Sequence, residues 1–192
     1  MNYKQIREEN KKELIVNKSK FISIAYKISS FNQLNTILNN VKQEFDSATH
    51  ICYAYKLIEQ NQIKEGYFES KEPKNTSGKQ IYNLIESRNL LNILIIVVRY
   101  YGGTKLGIGL LSRSYLNSAK LVIEENNIID WVNTNNYLIS IDISEFDKFI
   151  YFLNKRNIQI NKKDFNNTYV EININLSDDQ LKLDFLQKYI NL

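Results

Sequence analysis

The sequence contains one run, Ile93–Val98, that is apolar at every position. A half-exposed strand alternates apolar and polar residues, whereas a short run that is apolar on both parities is typical of a strand covered on both faces. This run stops at Arg99 and leads into a glycine-rich segment, Gly102–Gly109. We therefore predict a mixed α/β domain in which a fully buried strand is followed by a tight turn and a helix.

The residues around this strand predict further elements of the same domain. Period-two alternation indicates strands, and apolar residues spaced by three and four indicate helices. Ser77 and Gln80 have the Ser-x-x-Gln form of a capping box, which predicts that a helix begins there. The expected elements are a strand at 18–26, a helix at 31–41, a strand at 49–55 with a hairpin partner at 66–68, a helix from 77, and a helix with Leu111, Tyr115, Ala119 and Val122 buried that fades at Asn126–Asn127.

The last third of the sequence predicts a second domain. Strand and helix patterns follow one another in the order β-α-β-β-α, with a second Ser-x-x-Gln box at Ser177–Gln180. That order is typical of a ferredoxin-like half-sandwich that ends before its fourth strand, which would leave a sheet edge exposed. The predicted organisation is a first domain at 1–129, an Asn-rich linker at 130–136 and a ferredoxin-like domain at 137–192.

Composition narrows the function classes. The 192 residues include one cysteine, Cys52, and one histidine, His50, which exclude an internal disulfide and a zinc site built from Cys and His ligands. No apolar run approaches the ~20 residues that span a bilayer, and the N-terminus is too charged for a signal peptide. We expect a cytoplasmic protein without membrane or cofactor. Residues 1–131 carry 18 Lys and Arg against 13 Asp and Glu, whereas the remainder carries 7 against 8, a mild indication of an anionic partner for the first part.

The glycine-rich segment is the most informative candidate site. Glycines permit close backbone approach and free N–H groups at a helix start favour anions, so a phosphate or carboxylate could lie beside Lys105 and Arg99. The P-loop and dinucleotide-binding fingerprints are absent. The alternative is that the glycines only make a tight turn between strand and helix.

His50 is the candidate general base, because its side chain titrates near neutral pH. It could equally be a packed histidine on the strand face that it shares with Cys52, which we interpret as a small packed residue. Thr76 and Ser77 are candidate nucleophiles, although helix capping explains Ser77. A catalytic triad would need His50 beside Ser77 and an orienting carboxylate such as Glu69 or Glu72. No group of acidic residues has metal-ligand spacing.

Three segments together resemble the IMPACT family, in particular its bacterial YigZ-like branch. They are Thr49-His50-Ile51-Cys52-Tyr53-Ala54-Tyr55; Glu72-Pro73 with Thr76-Ser77-Gly78-Lys79; and Arg99-Tyr100-Tyr101-Gly102-Gly103-Thr104-Lys105-Leu106-Gly107-Ile108-Gly109 with Arg113-Ser114-Tyr115. The order and spacing of these motifs are highly specific, and the resemblance covers most of residues 15–125.

The resemblance implies a first domain like domain 2 of ribosomal protein S5 and a second, ferredoxin-like domain similar to one of the translocation elongation factor. Eukaryotic relatives regulate translation initiation by competing for activation of the amino-acid-starvation kinase. Fold alone does not establish function. In the bacterial branch the motif residues are supposed to line a cleft for nucleic acid or another anion. Carried over by position, that cleft would include His50, Tyr55, Glu72, Thr76, Gly78, Lys79, Arg99, Tyr100, Gly102, Gly103, Lys105, Gly107 and Arg113.

The sequence departs from the family pattern at a few positions. Two acidic residues and a glycine usually precede Glu-Pro, where this chain has Glu69-Ser70-Lys71, and Ser-Gly usually follows it, where the chain has Lys74-Asn75. A role that needs paired carboxylates, such as metal binding, is thereby disfavoured. The proline usual after Lys79 is Gln80, and Leu110 replaces a glycine near the helix start.

Three hypotheses follow. The first is a non-catalytic, translation-associated module that binds RNA, the ribosome or another anionic ligand through Lys105, Arg99, Arg113 and the glycine turn, with Tyr100 or Tyr101 stacking on a base. The second is a hydrolase of a small anionic or peptide substrate that uses His50 and Thr76 or Ser77. The third is a protein-binding regulator whose motif residues stabilise the fold, so that Gly103→Ala would lower thermal stability. The sequence specifies no oligomeric state.

Overall fold

A computed structural model describes residues 3–124 and 127–190. It is a mixed α+β structure with antiparallel sheets, and its contacts divide the chain into two compact units, residues 1–131 and 132–192. In the described residues, no helix has the length and apolar character that crossing a membrane would require.

The first unit is built on an antiparallel sheet of five strands in the order β2-β3-β6-β4-β5, with a two-stranded sheet formed by β1 and β7. Its elements are β1 Lys4–Ile6, β2 Asn10–Val16, β3 Ser19–Lys27, α1 Phe31–Glu44, β4 His50–Glu59, β5 Gln62–Phe68, α2 Gly78–Ser87, β6 Ile93–Tyr100, α3 Gly107–Leu121 and β7 Ile128–Asp130.

The central strand β6 is buried along both faces from Ile93 to Arg99, as its uninterrupted apolar run predicts. One face packs against α1, in a cluster that includes Leu38, Leu94 and Ile96. The other face packs against α2 and α3, in a cluster that includes Ile85, Ile95 and Tyr115. Each large side chain removed from water contributes about 1.5–3 kcal/mol, so these two layers hold the sheet and its helices together.

Alternation along β4 assigns its residues to the two layers. His50, Cys52 and Ala54 face α2 and α3, whereas Tyr53 and Tyr55 pack in the α1 layer. The predicted hairpin partner at 66–68 is confirmed as the end of β5, which pairs with β4 from Tyr53 to Glu59.

Three strands, β1, β2 and β7, were not predicted from the sequence. β2 is an outer strand that exposes Lys11, Lys12 and Glu13, so its alternation is masked by charge. β1 and β7 are three residues long, and β7 extends to Asp130, which pairs with Lys4. Because β8 begins at Asn135, residues 131–134 separate the strands of the two units, a shorter connection than the predicted linker at 130–136.

Helix α3 ends at Leu121, earlier than the predicted end at Asn126–Asn127. Asn126 lies outside the described residues. Asn127 does not continue the helix, because its amide oxygen accepts a hydrogen bond from the Glu8 backbone N–H at 3.0 Å and its amide nitrogen donates to the Glu8 carbonyl at 2.8 Å.

The second unit contains β8 Asn135–Asp142, α4 Phe146–Lys155, β9 Ile160–Phe165, β10 Tyr169–Leu176, α5 Asp178–Leu181 and α6 Asp184–Gln187. Its antiparallel sheet has the order β8-β10-β9, and the core includes Ile141, Phe149 and Ile172. The β-α-β-β-α order is as predicted, with α6 in addition. The second capping box is confirmed, because Ser177 accepts from the Gln180 N–H and Gln180 accepts from the Ser177 N–H.

Candidate functional site

The candidate site lies where β4 begins and β6 ends. His50 is the first residue of β4 and pairs with Arg99 of β6, so antiparallel register places the two side by side. Both residues belong to the parity of their strands that faces α2 and α3. The glycine-rich turn follows β6 directly and leads into α3 above them.

The glycine turn is packed closely against the connection between β2 and β3. A Cβ atom on Gly102 would lie 2.0 Å from the Lys18 carbonyl carbon, and the Gly102 N–H donates to Ser19 Oγ at 3.2 Å. Gly103 and Gly107 have φ angles of +82° and +71°, which L side chains rarely adopt. Close approach requires glycine at 102, and backbone conformation favours it at 103 and 107.

A cavity of about 450 Å³ opens beneath this turn. Its size is in the range of pockets that bind small molecules. Five residues of the cleft that the resemblance implies meet there, namely His50, Glu72, Arg99, Lys105 and Gly107. Tyr101, the candidate for base stacking, also lines the cavity, and the remaining lining residues are Thr49, Pro73, Leu106, Ile108 and Leu111.

A buried ionic network forms one wall of the cavity. Glu72 Oε1 accepts from Arg99 Nη1 at 2.6 Å and from the Tyr115 hydroxyl at 2.8 Å. Both Glu72 and Arg99 are more than nine-tenths buried. The guanidinium carbon of Arg99 lies 5.5 Å and 5.8 Å from the ring centres of Phe21 and Tyr101. Arg99 Nε has no hydrogen-bond partner among the described residues.

The hydrogen bonds of His50 fix its neutral tautomer. Nδ1 lies 2.6 Å from the Ser70 carbonyl oxygen, and a carbonyl only accepts, so Nδ1 carries the proton. Nε2 then bears the lone pair and lies 3.8 Å from Glu72 Oε1. His50 is thus positioned by the loop before α2, and its second nitrogen is unprotonated in the neutral form.

That loop also contains the two candidate nucleophiles. Thr76 and Ser77 are buried, and neither belongs to the cavity lining among the described residues. The Thr76 hydroxyl donates to the Pro73 carbonyl at 2.6 Å. Among the described residues, the polar contacts of His50 are with Ser70 and Glu72, and none joins it to Thr76 or Ser77.

The predicted capping box at Ser77–Gln80 is wrong. Helix α2 does begin after Ser77, but the Ser77 side chain makes no capping hydrogen bond. The carboxylate of Glu69 takes its place and accepts from the N–H groups of Asn75 at 2.9 Å and of Ser77 and Lys79 at 3.5 Å. A negative charge at a helix start is stabilised by the helix dipole, which explains why a carboxylate replaces the hydroxyl.

Several other predicted residues lie elsewhere. Tyr55 and Tyr100 pack in the α1 layer, on the opposite face of the sheet from the cavity. Lys79 stacks on Tyr67 and Tyr82, at 5.4 and 4.7 Å from the ring centres. Gly78 is buried against the Phe68 backbone, and Arg113 is exposed on α3, outside the cavity lining.

The helical spacing correctly predicts Tyr115 on the buried side of α3, but its hydrogen bonds in the network were not predicted. Its hydroxyl also accepts from Cys52 Sγ at 3.5 Å. A buried tyrosine usually finds a hydrogen-bond partner for its hydroxyl, so a Tyr within an apolar helical stripe was the available signal. In the described residues, no group of three or more His, Cys, Asp or Glu side chains is arranged to hold a metal ion.

Burial in this network predicts a loss of stability at alkaline pH. Burial raises the pKa of the Cys52 thiol from 9.0 to about 11, and burial with nearby Cys52 and Glu72 raises the pKa of Tyr115. The unfolded chain therefore loses these protons first as the pH rises. The stabilisation of the folded state by these protonated groups is complete below about pH 9. The Cys52 thiol alone should lower the free energy of unfolding by about 2–3 kcal/mol by about pH 11.

Urea unfolding at several pH values between about 8 and 11 measures this loss. Cys52→Ala provides the control, because its curve of unfolding free energy against pH should be flatter than that of the unmodified protein. An unmodified protein whose unfolding free energy stays constant across this range contradicts the prediction.

Comparison with known proteins assigns the family. The model of the Impact N-terminal domain matches residues 17–123, which contain the cavity, the glycine turn and the ionic network. The chain belongs to the IMPACT family. This match confirms the resemblance that the three sequence motifs indicate.

Bacterial IMPACT proteins are among the relatives. IMPACT family member YvyE of Bacillus subtilis is 28% identical over 129 residues, which cover 67% of this chain and 59% of YvyE. IMPACT family member YigZ of Escherichia coli is 29% identical over 101 residues, covering 52% of this chain and 50% of YigZ. The matched regions thus span 59% of the length of YvyE and 50% of that of YigZ.

A solved structure shares the fold of this IMPACT chain. The crystal structure of a hypothetical protein matches it with a TM-score of 0.66 at 19% sequence identity, covering 97% of this chain and 90% of the other. At this identity the likeness concerns the fold alone.

Proposed function

We propose that this IMPACT protein is a cytosolic, translation-associated regulator that binds RNA through the cavity beneath the glycine turn. One observation carries the proposal. Exposed Lys105, the start of α3 and the ring of Tyr101 all lie at the opening of the cavity. Cationic groups beside an exposed aromatic ring are the chemistry that single-stranded RNA requires. The ribosome and other translation components are the corresponding partners.

The start of α3 supports an anionic ligand. Its N-cap residue is Leu106, which has no side-chain capping hydrogen bond, and the first turn contains no acidic residue. Backbone N–H groups at a helix start carry partial positive charge and bind phosphate. Lys105 directly precedes the N-cap residue Leu106. The positive charge of its side chain and the partial positive charge of the backbone N–H groups therefore attract an anion to the same place.

The unpaired Nε of Arg99 is a second support. A buried donor without a partner costs about 1–3 kcal/mol, and a ligand oxygen that reached Nε would remove that cost. Tyr101 is 45% exposed and lines the cavity, whereas Tyr100 packs on the other face of the sheet. We therefore propose Tyr101 as the ring that stacks on a base.

We also propose a fold type for each of the two units. The first unit, with helices on both faces of its five-stranded sheet, is proposed to be like domain 2 of ribosomal protein S5. The second unit is proposed to be ferredoxin-like, because α4 connects β8 to β9 while β10 lies between them. Both fold types occur in translation proteins, which fits a regulator of translation.

Binding of a labelled single-stranded RNA, followed by fluorescence anisotropy at several salt concentrations, tests the function. Lys105→Ala combined with Arg113→Ala is expected to weaken binding about tenfold or more and to reduce the salt dependence, because the proposal gives RNA one phosphate contact with Lys105 at the cavity opening and a second with Arg113 on the exposed side of α3. Arg99 is left intact since its pairing with Glu72 supports the fold.

The matched control is Lys42→Ala, which removes an exposed lysine from α1 on the opposite face of the sheet. It should leave RNA affinity unchanged. The proposal fails if the unmodified protein does not bind RNA at low salt, or if the double variant binds as tightly as the control.

A further inference from the structure

The exposed side of α4 carries cationic and aromatic residues at helical spacing. Lys148, Tyr151 and Lys155 lie at positions i, i+3 and i+7, which form one line along a helix. All three side chains are exposed, Tyr151 at 69%. The opposite side of α4 contributes Phe149 and Leu153 to the core of the second unit. The line of Lys148, Tyr151 and Lys155, which we call the α4 stripe, therefore faces solvent.

Neither ion pairing nor the helix dipole accounts for the cations of this stripe. On β9, Lys162 pairs with Asp164 at 2.7 Å, whereas Lys148 and Lys155 form no ion pair among the described residues. The helix dipole favours Lys155 in the last turn, but it disfavours a cation in the first turn, where Lys148 lies. An anionic partner explains why both ends of the stripe are positively charged.

A stack of planar groups lies beside the stripe. Phe152 of α4 stacks on Phe185 of α6, with ring centres 4.1 Å apart and 21° between the ring planes. The guanidinium carbon of Arg156 lies 3.9 Å from the centre of the Phe152 ring. The two phenylalanines are half-buried, whereas Arg156 is exposed. Guanidinium planes and aromatic rings are the groups on which the bases of single-stranded RNA stack.

We propose that the α4 stripe, together with Arg156, is an RNA-binding surface of the second unit, additional to the cavity in the first. Phosphates of a single strand lie against Lys148 and Lys155, and a base stacks on the ring of Tyr151 between them. The inference rests on the proposed function for its choice of RNA. None of its residues lines the cavity.

A lipid surface fits this side of α4 less well than RNA does. An interfacial helix buries its apolar face in the membrane, but the apolar face of α4 is already packed in the core of its own unit. Among the described residues of α4, Tyr151 is the one large apolar side chain that is mostly exposed. A single ring between cations matches a strand in which phosphates and bases alternate. An acidic protein segment satisfies the two lysines but leaves Tyr151 without a stacking partner.

Fluorescence anisotropy with a labelled single-stranded oligoadenylate RNA tests this surface in the full chain. Tyr151→Ala is expected to weaken binding about tenfold, because the stacking of one base is lost. Tyr151→Phe keeps the ring and should restore the affinity of the unmodified protein. That rescue separates the loss of stacking from a general disturbance of α4.

The salt dependence tests the two lysines. Lys148→Ala combined with Lys155→Ala should reduce the slope of log affinity against log salt concentration by about 1.4, because each phosphate contact on a single strand contributes about 0.7. The matched control is Lys162→Ala combined with Lys182→Ala, which removes the same charge from β9 and α5 of the same unit. The control should leave the slope unchanged.

Ultraviolet crosslinking locates the contact independently of the cavity. Trypsin cleaves after lysine and arginine, so it releases Tyr151 in the peptide 149–155. At saturating protein concentration, mass spectrometry should find RNA attached to this peptide in the unmodified protein. The same crosslink is expected in the Lys105→Ala, Arg113→Ala double variant.

The proposal is supported by weaker binding of Tyr151→Ala, its rescue by phenylalanine and a crosslink in peptide 149–155. Full affinity of Tyr151→Ala, an unchanged slope in the Lys148, Lys155 variant or an unmodified protein that binds no oligoadenylate overturns it. Binding to vesicles of phosphatidylcholine and phosphatidylserine that requires Tyr151, without RNA binding, assigns the surface to lipid instead. RNA binding that depends on the α4 stripe but not on Lys105 and Arg113 contradicts the proposed cavity site alone, and the reverse contradicts this surface alone.

Discussion

Replacing Glu72 by alanine is expected to lower the free energy of unfolding by about 3–5 kcal/mol. The change leaves the buried guanidinium of Arg99 without its carboxylate partner, and uncompensated buried charge is among the costliest defects in a protein. It also removes the acceptor of the Tyr115 hydroxyl, which lies fully inside the core. Urea unfolding followed by circular dichroism measures the change.

A surface ion pair supplies the control for this experiment. Lys11 and Glu44 are bonded at 2.9 Å with more than half of each side chain exposed, so Glu44→Ala should cost less than about 1 kcal/mol. Arg99→Ala combined with Glu72→Ala should cost less than the sum of the single changes, because neither charge is then left alone. Equal losses for Glu72→Ala and Glu44→Ala would show that the buried pair is not a major source of stability.

Gly102→Ala is expected to destabilise the first unit by about 3 kcal/mol or more. The added Cβ would lie 2.0 Å from the Lys18 carbonyl carbon and 2.2 Å from its oxygen, so one of two backbone segments must move. The two segments are the turn after β6 and the connection between β2 and β3. A shift of either backbone disturbs the packing of the central sheet. Thermal unfolding measures the effect.

Two neighbouring glycines make the experiment specific. Gly103→Ala meets no atom within 4 Å, but its φ of +82° strains an alanine, so a smaller loss of about 1–2 kcal/mol is expected. Gly109→Ala lies in α3 with open space around it and should raise stability by about 0.5–1 kcal/mol. If all three variants melt at the same temperature, close packing at Gly102 is not what holds the turn.

The sequence predicted those parts of the fold in which one local pattern decides the structure. The apolar run of β6, the helical spacing of α1 and α3 and the element order of the second unit are of this kind. β2 was missed because an outer strand tolerates charges that hide its alternation. The cap of α2 was misassigned because Glu69 reaches it from the preceding loop, and nothing at Ser77 reveals that competition.

The candidate site illustrates both the use and the limit of motif resemblance. The motifs that indicate the family contain all five predicted residues that meet at the cavity. They also contain Tyr55 and Tyr100, which the structure places on the other face of the sheet. Side chains alternate between the two faces of a strand, so His50 and Tyr55 of β4 must lie on opposite faces of the sheet. This alternation alone could have excluded Tyr55 from the cavity. The contacts of Tyr115 and Glu69, in contrast, depend on tertiary packing.

The contact between Gly102 and Lys18 joins residues that are far apart in the sequence. The strand that supports Arg99 is likewise β3, where Phe21 lies beneath the guanidinium and pairs with Arg99 in the sheet. A shortened protein that begins after β3 would retain every residue of the three motifs. It would still lack the surface on which the turn and Arg99 rest, so a fragment with an intact cavity must include β3 and the connection that precedes it.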